Sequence, residues 1–202
     1  MALFISLWIR LFFVFTPFFG LTMFLSMTEG YDEQKRRRLA ISVSGAVLIL
    51  CMVLFFAGKQ LFGLFGITLD SFRIGAGALL FLSGVSLVQG KAGAGRPASE
   101  AEMAVVPLAI PVIVGPATTG TILVMGAELD GTHQMGLGCL ALLLAVSCMA
   151  AVLLLGSFLE RVLGVRGLLI LSKITGLVLS AMAAQMIMTG ILGFLSANLL
   201  AN

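Results

Sequence analysis

The chain has 202 residues, 60% of them hydrophobic and 10% charged, with a formal net charge of +3. Soluble domains carry about 25% charged residues, so this composition excludes an ordinary soluble domain. The basic residues gather between apolar blocks, which excludes a nucleic-acid surface. Those blocks run to about 20 residues, the length that crosses a bilayer core of about 30 Å, and mean hydropathy is +1.16. The expected fold class is an all-α polytopic membrane protein.

Six spans are predicted, at about 3–27, 39–58, 72–89, 104–127, 135–159 and 168–196. The first has no basic n-region and no A-x-A-like site after it, so it reads as a span and not a cleaved leader. It carries Trp8, expected to anchor at the interface, and Arg10, expected to snorkel outward beside it. Near its middle stands Thr16-Pro17-Phe18-Phe19-Gly20-Leu21-Thr22. Loop 1–2 carries Lys35, Arg36, Arg37 and Arg38; loop 3–4 carries Lys91 and Arg96; loop 5–6 carries Arg161 and Arg166. The other loops hold little basic charge, so the positive-inside rule makes the odd-numbered loops cytoplasmic and both termini external. The cysteines Cys51, Cys139 and Cys148 are scattered through apolar segments and read as buried thiols, not as a metal or disulfide framework.

Span four holds Gly115-Pro116-Ala117-Thr118-Thr119-Gly120-Thr121. Laid on span one at an offset of about 100 residues, Pro116 falls on Pro17 and Thr121 on Thr22. A second match at nearly the same offset sets Ser71-Phe72-Arg73-Ile74 before span three against Ser172-Lys173-Ile174 before span six. With three spans per half, the second half must enter the membrane from the opposite side. The expected domain is therefore one membrane unit made of two inverted repeats, about 1–90 and 104–202, joined by a cytoplasmic linker at about 91–103.

Proline removes a backbone donor and clashes with the preceding turn, so spans one and four are predicted to break near the midplane. Pro107 and Pro111 loosen the first half of span four further. Unpaired backbone in hydrocarbon costs several kcal/mol per group, so a break persists only where it faces protein, water or a ligand. The second half-helices offer free N–H groups at their starts, which suit a carboxylate. The carbonyls before the breaks suit an ammonium group or a cation. The candidate binding residues are Thr16, Pro17, Gly20, Thr22, Gly115, Pro116, Thr118, Thr119, Gly120 and Thr121. Donors on one side and acceptors on the other, with little room, fit a small zwitterion such as an amino acid.

All nine acidic residues lie in predicted loops or at span ends, and the one histidine is His133, also in a loop. No carboxylate stands at mid-membrane to relay protons, no nucleophile–base pair lies at depth, and no nucleotide motif is present. An enzyme is therefore not expected, nor a resident cofactor. Arg73 and Lys173 are expected to pair with loop carboxylates or to hold topology.

Pro107-Leu108-Ala109-Ile110-Pro111 followed by Gly115-Pro116 resembles the P-L-A-I-P…G-P signature of the MarC family of bacterial inner-membrane proteins. Phe72-Arg73-Ile74, and Thr28 followed by Lys35-Arg36-Arg37-Arg38, resemble the same pattern, and the resemblance covers essentially the whole chain. It implies six membrane helices, external termini and transport of small neutral amino acids, with an architecture shared with the lysine-exporter superfamily. One departure stands out. The family usually has Asn-Pro or Asp-Pro followed by Ile-Gly-Asn in span one, where this chain has Thr16-Pro17-Phe18-Phe19-Gly20.

The leading expectation is a secondary transporter of glycine, alanine or serine by alternating access around the two breaks. A coupling ion, sodium or a proton, stays open; the lack of buried acids favours a cation held by carbonyls and hydroxyls. The alternatives are a channel or exporter of other small solutes, and a membrane protein with no transport role.

Overall fold

The structure, a computed structural model, describes residues 2–90 and 113–199. The linker, Pro107, Pro111 and most of the first half of span four lie outside the described residues. The described elements are all helices: α1 (Ala2–Val14), α2 (Pro17–Met27), α3 (Glu33–Phe65), α4 (Leu69–Gln89), α5 (Pro116–Glu128), α6 (Gly131–Leu154) and α7 (Gly156–Leu199). Among the described residues, five stretches are long and apolar enough to cross a membrane: Leu3–Met27, Glu33–Phe65, Leu69–Gln89, Gly131–Leu154 and Gly156–Ala197. The α5 helix has 13 residues, about 20 Å at 1.5 Å per residue, too short to cross alone.

Two segments run past their expected ends. The α3 helix covers 33 residues where 39–58 was expected, and it takes in Lys35–Arg38 as its first turns. Asp32 caps it by accepting a hydrogen bond from the Lys35 N–H at 2.7 Å. The α7 helix begins at Gly156 instead of about 168, so Arg161 and Arg166 stand on helix and not on a loop. Charge ends the hydrocarbon-embedded part of a helix, but the backbone hydrogen bonds continue into the interface. The α7 helix is interrupted once, at Gly164 (φ 65°, ψ 169°), a conformation that glycine adopts without the penalty of a Cβ.

Contacts sort the helix ends onto two faces. On one, Lys59 pairs with Asp130, Arg73 with Glu128, and Gly193 packs against Asp70. On the other, Arg36 donates to the Ser157 hydroxyl at 2.8 Å and to the Thr28 carbonyl at 3.1 Å. The first face therefore holds the N-terminus of the chain and the far end of α7; the second holds the basic residues at the starts of α3 and α7.

Glycines set the closest helix contacts. A Cβ on Gly126 or Gly58 would run into the backbone of Phe55 or Leu123, so α3 and α5 touch backbone to backbone. The α4 helix packs antiparallel along the later part of α7, from Gly176 near Gly84 to Gly193 near Asp70; a Cβ on Gly84 would lie 2.7 Å from the Gly176 carbonyl oxygen. Small residues let backbones approach where lipid gives no hydrophobic drive to association. The main core joins α1, α2, α3 and α6 around Leu11, Phe15, Phe24, Phe55 and Met149. A second, smaller core joins Val14, Leu80, Ala117, Leu179 and Ala183, directly beneath the ends of the broken helices. Trp8 is half-buried against the main core, with its indole nitrogen buried, so it packs inward where an interfacial anchor was expected. Cys51 is buried, whereas Cys139 and Cys148 are half-buried; all three are free thiols.

Candidate functional site

Span one breaks where its sequence predicts. The α1 helix ends at Val14 and α2 starts at Pro17, its first residue. Thr16 between them is left-handed (φ 46°, ψ 56°), alone among described non-glycine residues in having positive φ. A β-branched residue there is strained by about 1–2 kcal/mol, and strain of this kind collects at ligand clamps and switch regions. Span four resumes in the same way. Gly115 caps α5 in an extended conformation and Pro116 is its first residue, with no side chain capping the free N–H groups.

The two breaks carry matched hydrogen bonds at the spacing of Pro17 and Pro116. The Gly20 N–H donates to the Thr16 carbonyl at 2.9 Å, and the Thr119 N–H to the Gly115 carbonyl at 2.9 Å. The Thr22 hydroxyl donates to the Phe18 carbonyl at 2.9 Å, and the Thr121 hydroxyl to the Ala117 carbonyl at 2.9 Å. The breaks also meet. The buried Thr118 hydroxyl lies 3.1 Å from the Ile113 carbonyl oxygen and 3.4 Å from the Val14 carbonyl oxygen. Val14 and Ile113 each stand three residues before the break proline. A single hydroxyl hydrogen therefore serves two carbonyls orphaned at corresponding points, and the longer contact is the weaker.

The candidate residues divide into groups. Pro116, Thr119 and Gly120 line one cleft of about 470 Å³, together with Ile67, Ser71, Phe72, Gly75, Ala76 and Leu79 of the α4 side. Its lining is mostly apolar, with the Ser71 and Thr119 hydroxyls as its polar side-chain groups. Thr16 and Thr118 stand at the junction of the breaks, with Gly115 beside them. Pro17 and Gly20 are buried; a Cβ on Gly20 would meet the Met149 side chain. Thr22 and Thr121 spend their hydroxyl protons inside their own helices. The cleft thus lies between α4 and α5, not between the two breaks, and the candidate residues it gathers, Pro116, Thr119 and Gly120, all come from the second half. At the corresponding places in α2 stand Phe18, Phe19, Gly20 and Leu21, of which Gly20 and Leu21 are buried.

Sequence reasoning missed the α4 wall of this cleft. Phe72 packs against Phe62 at 4.7 Å between centroids, the rings tilted by 50°, and neither residue carries a local signal of that pairing. It also missed a charge network. Arg73 donates from Nε to Glu128 at 2.9 Å and also binds Asp70. Arg10 lies 3.9 Å from the other Glu128 oxygen. The expectation that Arg73 pairs with carboxylates near span ends is met. Arg10 turns toward Glu128 on α5. Lys173 stands exposed on α7.

Apolar helices of spanning length, with two shorter helices starting at a proline deep within the apolar region, define an integral membrane protein. Residues 1–195 match the family described as MarC family integral membrane protein, and the chain belongs to that family. It is 30% identical over 199 residues to a UPF0056 membrane protein of Aquifex aeolicus, covering 94% of this chain and 92% of the relative. It is 31% identical over 190 residues to the UPF0056 inner membrane protein YhgN of Escherichia coli K12, covering 93% and 95%. A UPF0056 membrane protein of Methanocaldococcus jannaschii is 35% identical over 200 residues, covering 95% and 97%. No solved structure matches the chain.

Proposed function

We propose that this protein is a secondary transporter of small neutral amino acids such as glycine, alanine or serine, driven by a sodium or proton gradient. It works by alternating access in a bacterial inner membrane, with both termini outside and its halves related as inverted repeats. The observation that carries this reading is the meeting of the two breaks through Thr118, with matched hydrogen bonds on either side. Discontinuous helices in corresponding positions of two halves are the usual builders of mid-membrane solute sites. The junction lies about 20 Å along α1 from its start, near the middle of a bilayer about 40–45 Å thick with headgroups. Uncapped N–H groups at the start of α5 suit a carboxylate, and the Val14 and Ile113 carbonyls suit an ammonium group or a cation. The printed names of the relatives call them membrane or inner membrane proteins and go no further.

The second core packs the breaks tightly against α4 and α7. Alternating access requires states in which the site is shut, and such packing fits one of them. The same packing favours a second reading, a membrane protein with no transport role. The apolar cleft favours a third, passage of other small solutes through a channel or exporter.

Uptake of labelled glycine, alanine and serine into proteoliposomes, with imposed sodium or proton gradients, separates the three. Saturable uptake with counterflow is expected. Flux without saturation points to a channel, and no flux under any gradient sinks the transporter reading.

A further inference from the structure

We propose that the seam between α1 and α5 is a gate on the face that holds the N-terminus, latched by the ion pair of Arg10 with Glu128. The inference builds on the reading that the breaks line a solute path, and adds the moving part.

Arg10 is the one charged residue of α1. It interrupts an otherwise apolar helix four residues before α1 ends, and a guanidinium in a membrane helix costs about 3 kcal/mol at the centre unless it pairs or reaches water. Its side chain is 43% exposed and reaches the Oε2 atom of Glu128 at 3.9 Å. Glu128 is the last residue of α5, where the helix dipole repels a carboxylate, so its placement also calls for a cation.

The four charges are not equivalent. Arg73 grips the Oε1 atom of Glu128 with two nitrogens at 2.9 Å and binds Asp70 as well. That part ties α4 to α5 and, at 19% side-chain exposure of Arg73, is the sheltered part. Arg10 adds α1 through one long contact.

The rest of the seam is equally light. Apart from the 3.4 Å contact of Thr118 with the Val14 carbonyl, α1 and α5 barely touch. By contrast, α5 is locked to α3 and α4 by the close approaches at Gly126, Gly58 and Gly120, and α1 lies chiefly on α6. Across the α1–α5 seam itself the polar contacts are therefore two and long, in line with the junction of the breaks, while α6, which carries α1, is held to α3 by the core around Phe55. Parting α1 from α5 alone opens none of the close glycine contacts of α5 with α3 and α4, and it uncovers Val14 and Thr118.

The test uses full-length protein in lipid nanodiscs, with Cys51, Cys139 and Cys148 replaced by alanine and Val14→Cys as the reporter. Val14 is 2% exposed, so its reaction with a membrane-impermeant methanethiosulfonate reagent reads opening of the seam. Arg10→Gln and Glu128→Gln are expected to raise the labelling rate about tenfold or more. Arg10→Lys should return it to near the parent rate, and Arg166→Gln, on the opposite face, should leave it unchanged. Labelling within twofold of the parent in whichever of the two glutamine variants remains monodisperse overturns the proposal. So does a rise that Arg10→Lys fails to reverse, because the change would then be structural. No transport is read, so the two ideas fail separately. Uptake without a labelling change removes the gate; a labelling change without uptake removes the transporter and leaves the seam.

Discussion

Thr118 and Thr16 show what single residues do at the breaks. The Thr118 hydroxyl is the polar group that the second half offers to the orphaned carbonyl of the first. Thr118→Val keeps the shape and removes the hydrogen. Polar contacts between membrane helices are worth about 0.6 kcal/mol on average and up to about 1.7, so a loss of about 1 kcal/mol in thermal or denaturant unfolding is expected. Thr118→Ser should recover most of it. A variant as stable as the parent would show that the hydroxyl does not bridge the halves. The proline at each break was legible in the sequence because its missing donor is a local property. The left-handed Thr16 was not, since nothing in a threonine announces positive φ; it is imposed by tying α2 back onto α6 and α7.

At the scale of helices, glycines on neighbouring helices do opposite things. Gly126 on α5 sits against the Phe55 backbone, whereas a Cβ on Gly75 of α4 would meet nothing within 4 Å although the residue lines the cleft. Gly75→Ala should stabilise the protein by up to about 1 kcal/mol through helix propensity. Gly126→Ala should cost several kcal/mol or prevent folding, because backbone cannot yield as a side chain can. Unfolding followed by circular dichroism in detergent compares the two, and similar effects would contradict the α3–α5 packing. Sequence reading found the helices from their apolar length but misplaced the ends of α3 and α7, because hydropathy marks the hydrocarbon and not the hydrogen-bond ladder. The α4 wall of the cleft was illegible for another reason: Ser71, Phe72 and Gly75 matter only through residues more than 40 positions away, at Pro116, Thr119 and Gly120.

For the whole molecule, the packing of Asp70 on Gly193 and the reach of Arg10 to Glu128 set the start of α1 and the end of α7 on one face. Protease-cleavable tags at the two termini should therefore be cut from the same side of the membrane, and a site inserted beside Glu29 only from the other. In intact cells the terminal tags are expected to be the accessible ones, because Lys35–Arg38 mark the cytoplasmic side. Tags cut from opposite sides would refute the arrangement. Charge patterning is what carries the expected orientation, whereas the pairing of Arg10 with Glu128 was hidden by the long sequence separation between them.

The inequality of the two halves carries a thermodynamic consequence. On the inverted-repeat reading, two identical halves would make the inward-open and outward-open forms arrangements of equal energy related by a two-fold rotation, populated one to one. Phe18 and Phe19 standing where the other half has Ala117 and Thr118 remove that degeneracy. Each 1.4 kcal/mol of difference in packing between the two forms shifts their ratio about tenfold. On the transport reading, the empty protein rests mainly facing one side, and the bulky aromatic pair decides which.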